Sequence, residues 1–259
     1  MPHPSSAPEI FNTEIYLTID SKGNYVVSNS LAKLLITYRN EYDWPRGIGA
    51  KTSQQEIINI VNACKSDLFP LEQSSLICFV SRISNWGGNN EKARQAILLF
   101  NEENKLFAVN QINNLSNNVD VENSLNNLTK LPGIDLVMAT KIYRFCSPMG
   151  AALDRHSSYF FNSLKVRKDT SLVYSTNFKR QWSNAKHLNS RLANYSASGL
   201  AFNLSKYISE YLPILNGITL NLNLSCSLYY CAAEQKLKKW TNADVEMAAY
   251  YWWALNGVR

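Results

Sequence analysis

The chain lacks the marks of several large protein classes. Its five cysteines, at positions 64, 78, 146, 226 and 231, form no C-x-x-C pair; the closest two frame the stretch CSLYYC. An odd and scattered set argues against zinc or iron–sulfur ligation and reads as free thiols in a reducing compartment. The three histidines, His3, His156 and His187, are too dispersed for a metal motif. No metal and no cofactor is therefore expected. No apolar run reaches the roughly 18 residues of a membrane span, and MPHPSSAPEIF has neither the basic nor the apolar region of a signal peptide. The expectation is a soluble cytoplasmic protein without membrane contact. No internal repeat of fixed period occurs.

What the chain does have is a globular balance: 259 residues, 46% hydrophobic and 12% aromatic, enough for one large domain or two closely packed halves. The 26 Lys and Arg against 20 Asp and Glu leave a net charge of +6. That excess permits a nucleic-acid partner without requiring one.

Residues 1–10 are rich in Pro and Ser. TEIYLTIDSKGNYVVSNS alternates apolar and polar positions around DSKG and predicts a small β-hairpin. The expected organisation is an N-terminal extension over 1–50 and a helical domain over 51–259. Helical spacing begins at SQQEIINIVNACK, where Ser53 is an N-cap candidate and Ile57, Ile58, Val61 and Cys64 line one side. LEQSSLICFVSRISNW predicts a second helix, and NEKARQAILLFNEENKLF a third. After residue 156 come SSYFFNSL, a polar connector, and two long helical patterns, SASGLAFNLSKYISEYLPILN and TNADVEMAAYYWWALNG. The last has Thr241 or Asn242 as its cap and Gly257 past its end.

The chemistry concentrates in LPGIDLVMATKIYRFCSPMGAALDRH, Leu131 to His156. Pro132 fixes φ and Gly133 permits a sharp turn between two helical patterns. The backbone N–H groups of such a turn can bind a phosphate, and Lys130 adds a cation. A helix containing the small Ala139 follows, then Pro148 and Gly150, then Asp154, 21 residues after Gly133.

Leu131, Pro132, Gly133, Ile134, Ala139, Pro148, Asp154 and His156 match the L-P-G turn and D-x-H signature of the helix-hairpin-helix DNA glycosylase superfamily, which this chain resembles over about a tenth of its length. The family includes endonuclease III, MutY and the 8-oxoguanine glycosylases. The resemblance implies a mainly α, two-lobed glycosylase fold, with the hairpin lobe over about 52–160 and the second lobe over about 161–259. It implies a monomer on double-stranded DNA, at the nucleoid, that extrudes an altered base and hydrolyses its N-glycosidic bond. An oxidised purine such as 8-oxoguanine is the favoured base; a modified base of foreign DNA, as in phage defence, is the alternative. A non-catalytic DNA-binding module is a further rival.

Under the resemblance, Asp154 is the catalytic carboxylate, because cleavage develops positive charge on the sugar. Lys130 and the turn Leu131–Asp135 hold the DNA backbone, and His156 holds a phosphate or caps the next helix. Two positions depart from the pattern. Asp135 replaces the second hairpin glycine, and Val137 stands where bifunctional members carry a Schiff-base lysine. Lys141, one turn further on, is either a displaced lyase lysine or a structural or phosphate-binding cation. The latter is favoured, which predicts a monofunctional enzyme. Arg82, Asn85 and Trp86 either sit where related enzymes fill the gap left by the extruded base or form an ordinary helix end with Trp86 in the core. The aromatic run AYYWWALNG, with Trp252 and Trp253, is either core or a wall of the base pocket. Glu246, like Asp244, either reads a base edge or complements a helix N-terminus. The basic stretches KVRKD, FKRQW and KLKKW are phosphate contacts or solvated faces.

Overall fold

The computed structural model describes residues 16–44, 47–66, 70–87, 91–168, 171–174 and 197–256. His3, His187 and the FKRQW stretch lie outside them. The fold is mainly α, with a small hairpin near the N-terminus as the alternation predicts: β1 (Tyr16–Ile19) pairs antiparallel with β2 (Tyr25–Val27).

The sheet is larger than the sequence suggests. Within the stretch read as a polar connector, β3 (Lys165–Lys168) runs parallel to β1, and β4 (Ser171–Tyr174) closes the order β2-β1-β3-β4. KVRK is thus a strand, because its backbone groups are paired by β1 on one side and β4 on the other. A second hairpin, β5 (Tyr229–Cys231) with β6 (Lys236–Lys238), uses the KLK of the last basic stretch.

The helices are α1 (Asn29–Asn40), α2 (Ala50–Ser66), α3 (Gln73–Trp86), α4 (Glu91–Leu98), α5 (Glu102–Ser116), α6 (Val121–Leu128), α7 (Leu136–Cys146), α8 (Arg155–Ser163), α9 (Ala197–Lys206), α10 (Leu212–Leu224) and α11 (Asn242–Asn256). Three differ from expectation. Helix α1 lies ahead of the first expected helical stretch, started by the Ser28 side chain accepting from Leu31 N–H and held by Leu31 and Leu35 in the core. Ser53 lies inside α2; its hydroxyl accepts from Trp44 N–H at 2.8 Å and donates to Asp43 at 2.9 Å, tying down the preceding loop. The third predicted helix is two, because the Asn101 side chain accepts from Asn104 N–H at 2.8 Å and starts α5 afresh. Thr241 is the cap of α11: its backbone N–H donates to the Asp244 carboxylate at 2.9 Å and its hydroxyl does so at 2.6 Å.

One core joins these elements. Leu17 of β1, Leu31 and Leu35 of α1, Phe79 of α3, Ile142 of α7, Phe160 of α8, Leu215 of α10 and Trp252 of α11 are all buried in it. Each such side chain contributes roughly 1.5–3 kcal/mol by leaving water. Between α9 and α10 the chain widens into a π-helical turn, Tyr207–Tyr211, a local feature that often accompanies functional sites. Among the described residues no helix is long and apolar enough to cross a membrane.

Candidate active site

The Leu-Pro-Gly sequence forms the tight connection between α6 and α7. Gly133 has φ +78°, a conformation that other L residues adopt only with strain. Leu131 and Ile134 plug the turn into the core, while Pro132, Gly133 and Lys130 are exposed. Asp135 has a local explanation: it is the N-cap of α7, and its carboxylate accepts from Met138 N–H at 2.7 Å. A glycine there would offer Met138 N–H no side-chain acceptor. Burial pushes the Asp135 carboxyl up, against the opposing pull of the Met138 N–H and the Lys141 charge.

Beyond α7, residues 151–153 lead to Asp154, and three hydroxyls pin them. Tyr207 donates to Ala151 O at 2.6 Å and Tyr211 to Ala152 O at 3.1 Å. Thr140 Oγ1 of α7 accepts from Leu153 N–H at 3.0 Å. The two tyrosines come from the π-turn, so that irregularity serves to fix the segment before the carboxylate. Asp154 itself is the N-cap of α8, accepting from His156 N–H at 2.7 Å, and is half-buried. His156 packs edge-on against Tyr250 with ring centroids 5.2 Å apart.

Lys141 comes to the same place. Its ammonium donates to Gly87 O, just past the end of α3, at 2.8 Å. Burial lowers its pKa, and the charges of Asp154, Asp135 and Glu246 oppose that fall. A desolvated amine beside a carboxylate is chemically competent as a nucleophile or as an electrostatic partner. One turn further along α7, the Arg144 guanidinium lies 4.3 Å from the Trp86 ring centroid and 4.6 Å from that of Phe145. Its Nε is 3.6 Å from a Glu246 carboxyl oxygen. Glu246 shares a helical face with Tyr250, one turn later, which in turn packs on Trp44 at 5.5 Å.

The candidate residues therefore separate. Asp154, Lys141, His156 and Glu246 converge with the head of α7 at Asp135. Arg82 and Asn85 are exposed on the last turns of α3, next to the Gly87 carbonyl that Lys141 holds. Trp252 and Trp253 are buried, Trp252 among Phe160 and Tyr38, while the neighbouring Tyr250 faces His156. Sequence reasoning missed Arg144, Trp44 and Tyr42, while Tyr250 lies in the aromatic run AYYWWALNG that it weighed as either core or a base-pocket wall. Arg144 was discoverable, since it follows Lys141 at helical spacing; Trp44 and Tyr42 give no local signal. Among the described residues no group of three or more His, Cys, Asp or Glu side chains is placed to hold a metal ion.

No family model matches this chain, and no curated protein or solved structure matches it either.

Proposed function

We propose that this chain is a DNA glycosylase of helix-hairpin-helix type, hydrolysing the N-glycosidic bond of an altered base, with an oxidised purine as the favoured substrate. The observation that carries the reading is the α6–turn–α7 unit leading, through a pinned segment, to Asp154 within charge reach of Lys141. In this reading the exposed turn at Pro132–Gly133, with Lys130, lies along the DNA backbone. Asp154 stabilises the positive charge that develops on the sugar as the base departs, and orients the water that replaces it. The aromatic surface at Tyr250 and Trp44 faces the extruded nucleotide.

Lys141 favours a second form of the reaction. Its desolvated amine beside Asp154 suits attack on the sugar carbon, giving a covalent intermediate and strand scission. Duplexes carrying a panel of altered bases, scored for breaks with and without hot alkali, separate the two forms. Breaks only after alkali support hydrolysis alone; breaks without alkali, lost in Lys141→Gln, assign Lys141 the nucleophile. Binding without base loss across the panel would favour a non-catalytic DNA-binding module.

A further inference from the structure

Helices α9 and α10 would run as one helix but for the π-turn at Tyr207–Tyr211. Pro213 accounts for the widening. It has no N–H to offer Ser209 O, and its ring crowds that carbonyl, so the turn before it opens. Leu212 N–H accordingly donates to Tyr207 O, five residues back. The opened turn stacks the two tyrosine rings, with centroids 5.7 Å apart and planes at 27°. Both are buried, and burial pushes both hydroxyls well above the usual tyrosine range, so they keep their protons at neutral pH.

The two hydroxyls are placed differently. Ala151 and Ala152 are buried, and their carbonyls need donors. That need alone explains Tyr207, which reaches Ala151 O, three residues ahead of Asp154. It does not explain Tyr211, which has a second arm. The Tyr211 proton is shared between Ala152 O at 3.1 Å, two residues before Asp154, and Ser157 Oγ at 2.9 Å, three residues after it. Ser157 passes the bond on to the Asp154 carbonyl at 3.1 Å, which also accepts from Ser158 at 2.6 Å. A phenylalanine at 211 would keep the ring contact with Phe161, whose centroid is 5.6 Å away. What the oxygen adds is a tie across Asp154, from the irregular segment before it to the first turn of α8 after it.

We propose that Tyr211 is a positioning residue of this site, whose hydroxyl, through Ala152 and Ser157, holds Asp154 in place against the sugar as positive charge develops there. The assignment rests on the glycosylase reading. A carboxylate stabilises that charge only from the right place, and a displacement of about 1 Å is enough to slow a reaction on the order of 100-fold. Tyr211 itself is buried away from the DNA. Its effect falls on the rate of the bound complex, and DNA affinity stays with the exposed turn at Pro132–Gly133.

The test uses Tyr211→Phe, Tyr207→Phe and Asp154→Asn, with Tyr211→Phe also joined to Asp154→Asn. Unfolding temperature, duplex affinity and single-turnover base release are measured for each. Tyr211→Phe should bind duplex within about twofold of wild type and slow release at saturating enzyme about 10- to 100-fold. Tyr207→Phe loses an equally buried hydroxyl from the same stack; it should lower the unfolding temperature as much and slow release less. In the Asp154→Asn background, adding Tyr211→Phe should change the residual rate less than about twofold, because no carboxylate is left to position. A purely structural hydroxyl would slow release in both backgrounds or make the two phenylalanine variants alike. Either result, or a Tyr211→Phe rate equal to wild type, overturns the assignment. Should Tyr211→Phe not fold, Ser157→Ala cuts the same tie from the α8 side and carries the same expectations. Amide exchange at Leu153 and His156 should be faster in Tyr211→Phe than in wild type. Unchanged exchange there, with wild type active, overturns the positioning role and leaves the glycosylase reading standing. If wild type releases no base from any duplex, that reading fails, and the positioning role with it.

Discussion

Lys141 Nζ and the carbonyl oxygen of Gly87 are 2.8 Å apart, and a methyl group on Gly87 would come within 2.7 Å of that same nitrogen. The end of α3 is therefore shaped around the lysine.

Gly87→Ala should displace the Lys141 ammonium while leaving the fold intact, because the clashing atom is the tip of a flexible side chain. Thermal unfolding should change by no more than about 1 kcal/mol. If Lys141 supports the chemistry, the rate of base release should fall at least about tenfold, a loss of roughly 1.4 kcal/mol in transition-state stabilisation. An unchanged rate would make the lysine's position irrelevant to the reaction.

Gly150→Ala should behave in the opposite way. A Cβ there meets backbone atoms, Tyr143 O at 2.3 Å and Arg144 N at 2.8 Å, which have no freedom to yield. The segment leading to Asp154 would have to move. Urea unfolding should reveal a loss of about 1–3 kcal/mol or more, with activity falling alongside.

Asp244→Asn breaks a closed buried pair, in which Arg39 reaches the carboxylate through Nε and Nη2, each at 2.8 Å. It leaves the Arg39 guanidinium uncompensated, with a cost of about 3–5 kcal/mol. Arg39 also stacks on Tyr229, 4.4 Å from the ring centroid, so the damage should reach the β5–β6 hairpin. Glu246→Gln, by contrast, changes a looser pair, in which the Arg144 Nε is 3.6 Å from the carboxyl oxygen. Its loss in stability at pH 7 should be clearly smaller, and a comparable loss would show that Arg144 depends on the Glu246 charge.

Glu246 also fixes a pH dependence of stability. Its folded pKa of about 8 exceeds the roughly 4.3 of an unfolded glutamate. Between those values the folded state holds more protons than the unfolded state, so this group's contribution is full below the lower value and is lost as pH rises towards the upper one. The Asp244 pKa is shifted the other way, and its contribution is lost only in acid, below the ordinary aspartate range. Unfolding free energy should therefore decline from about pH 5 to 8, and Glu246→Gln should flatten that decline. An identical slope in the variant would place the titration elsewhere.

The parts of this molecule that the sequence made readable are those set by near neighbours. The turn at Pro132–Gly133, the buried Ala139 and the start of α11 at Thr241 all follow from spacing of a few residues or one helical turn, whereas the pairing of Lys141 with Asp154 was suggested only by the family resemblance. The division between α4 and α5 was hidden because a single side chain, Asn101, interrupts an apolar period that otherwise continues. Strand β3 was hidden because its charges read as surface, while its pairing with β1 lies at the other end of the chain. The Arg144–Glu246 pair joins α7 to α11, and only packing brings them together. Asp135, which departs from the two-glycine hairpin pattern, makes sense once its hydrogen bond to Met138 is seen.

Asp154→Asn tests the central claim most directly. An asparagine oxygen can still accept from His156 N–H and cap α8, so the variant should fold and bind duplex DNA as wild type does. Base release under single-turnover conditions, followed by chromatography of the freed base, should fall by at least about 100-fold, consistent with the removal of one preorganised charge. Release at the wild-type rate by a folded, DNA-binding Asp154→Asn protein would contradict the account.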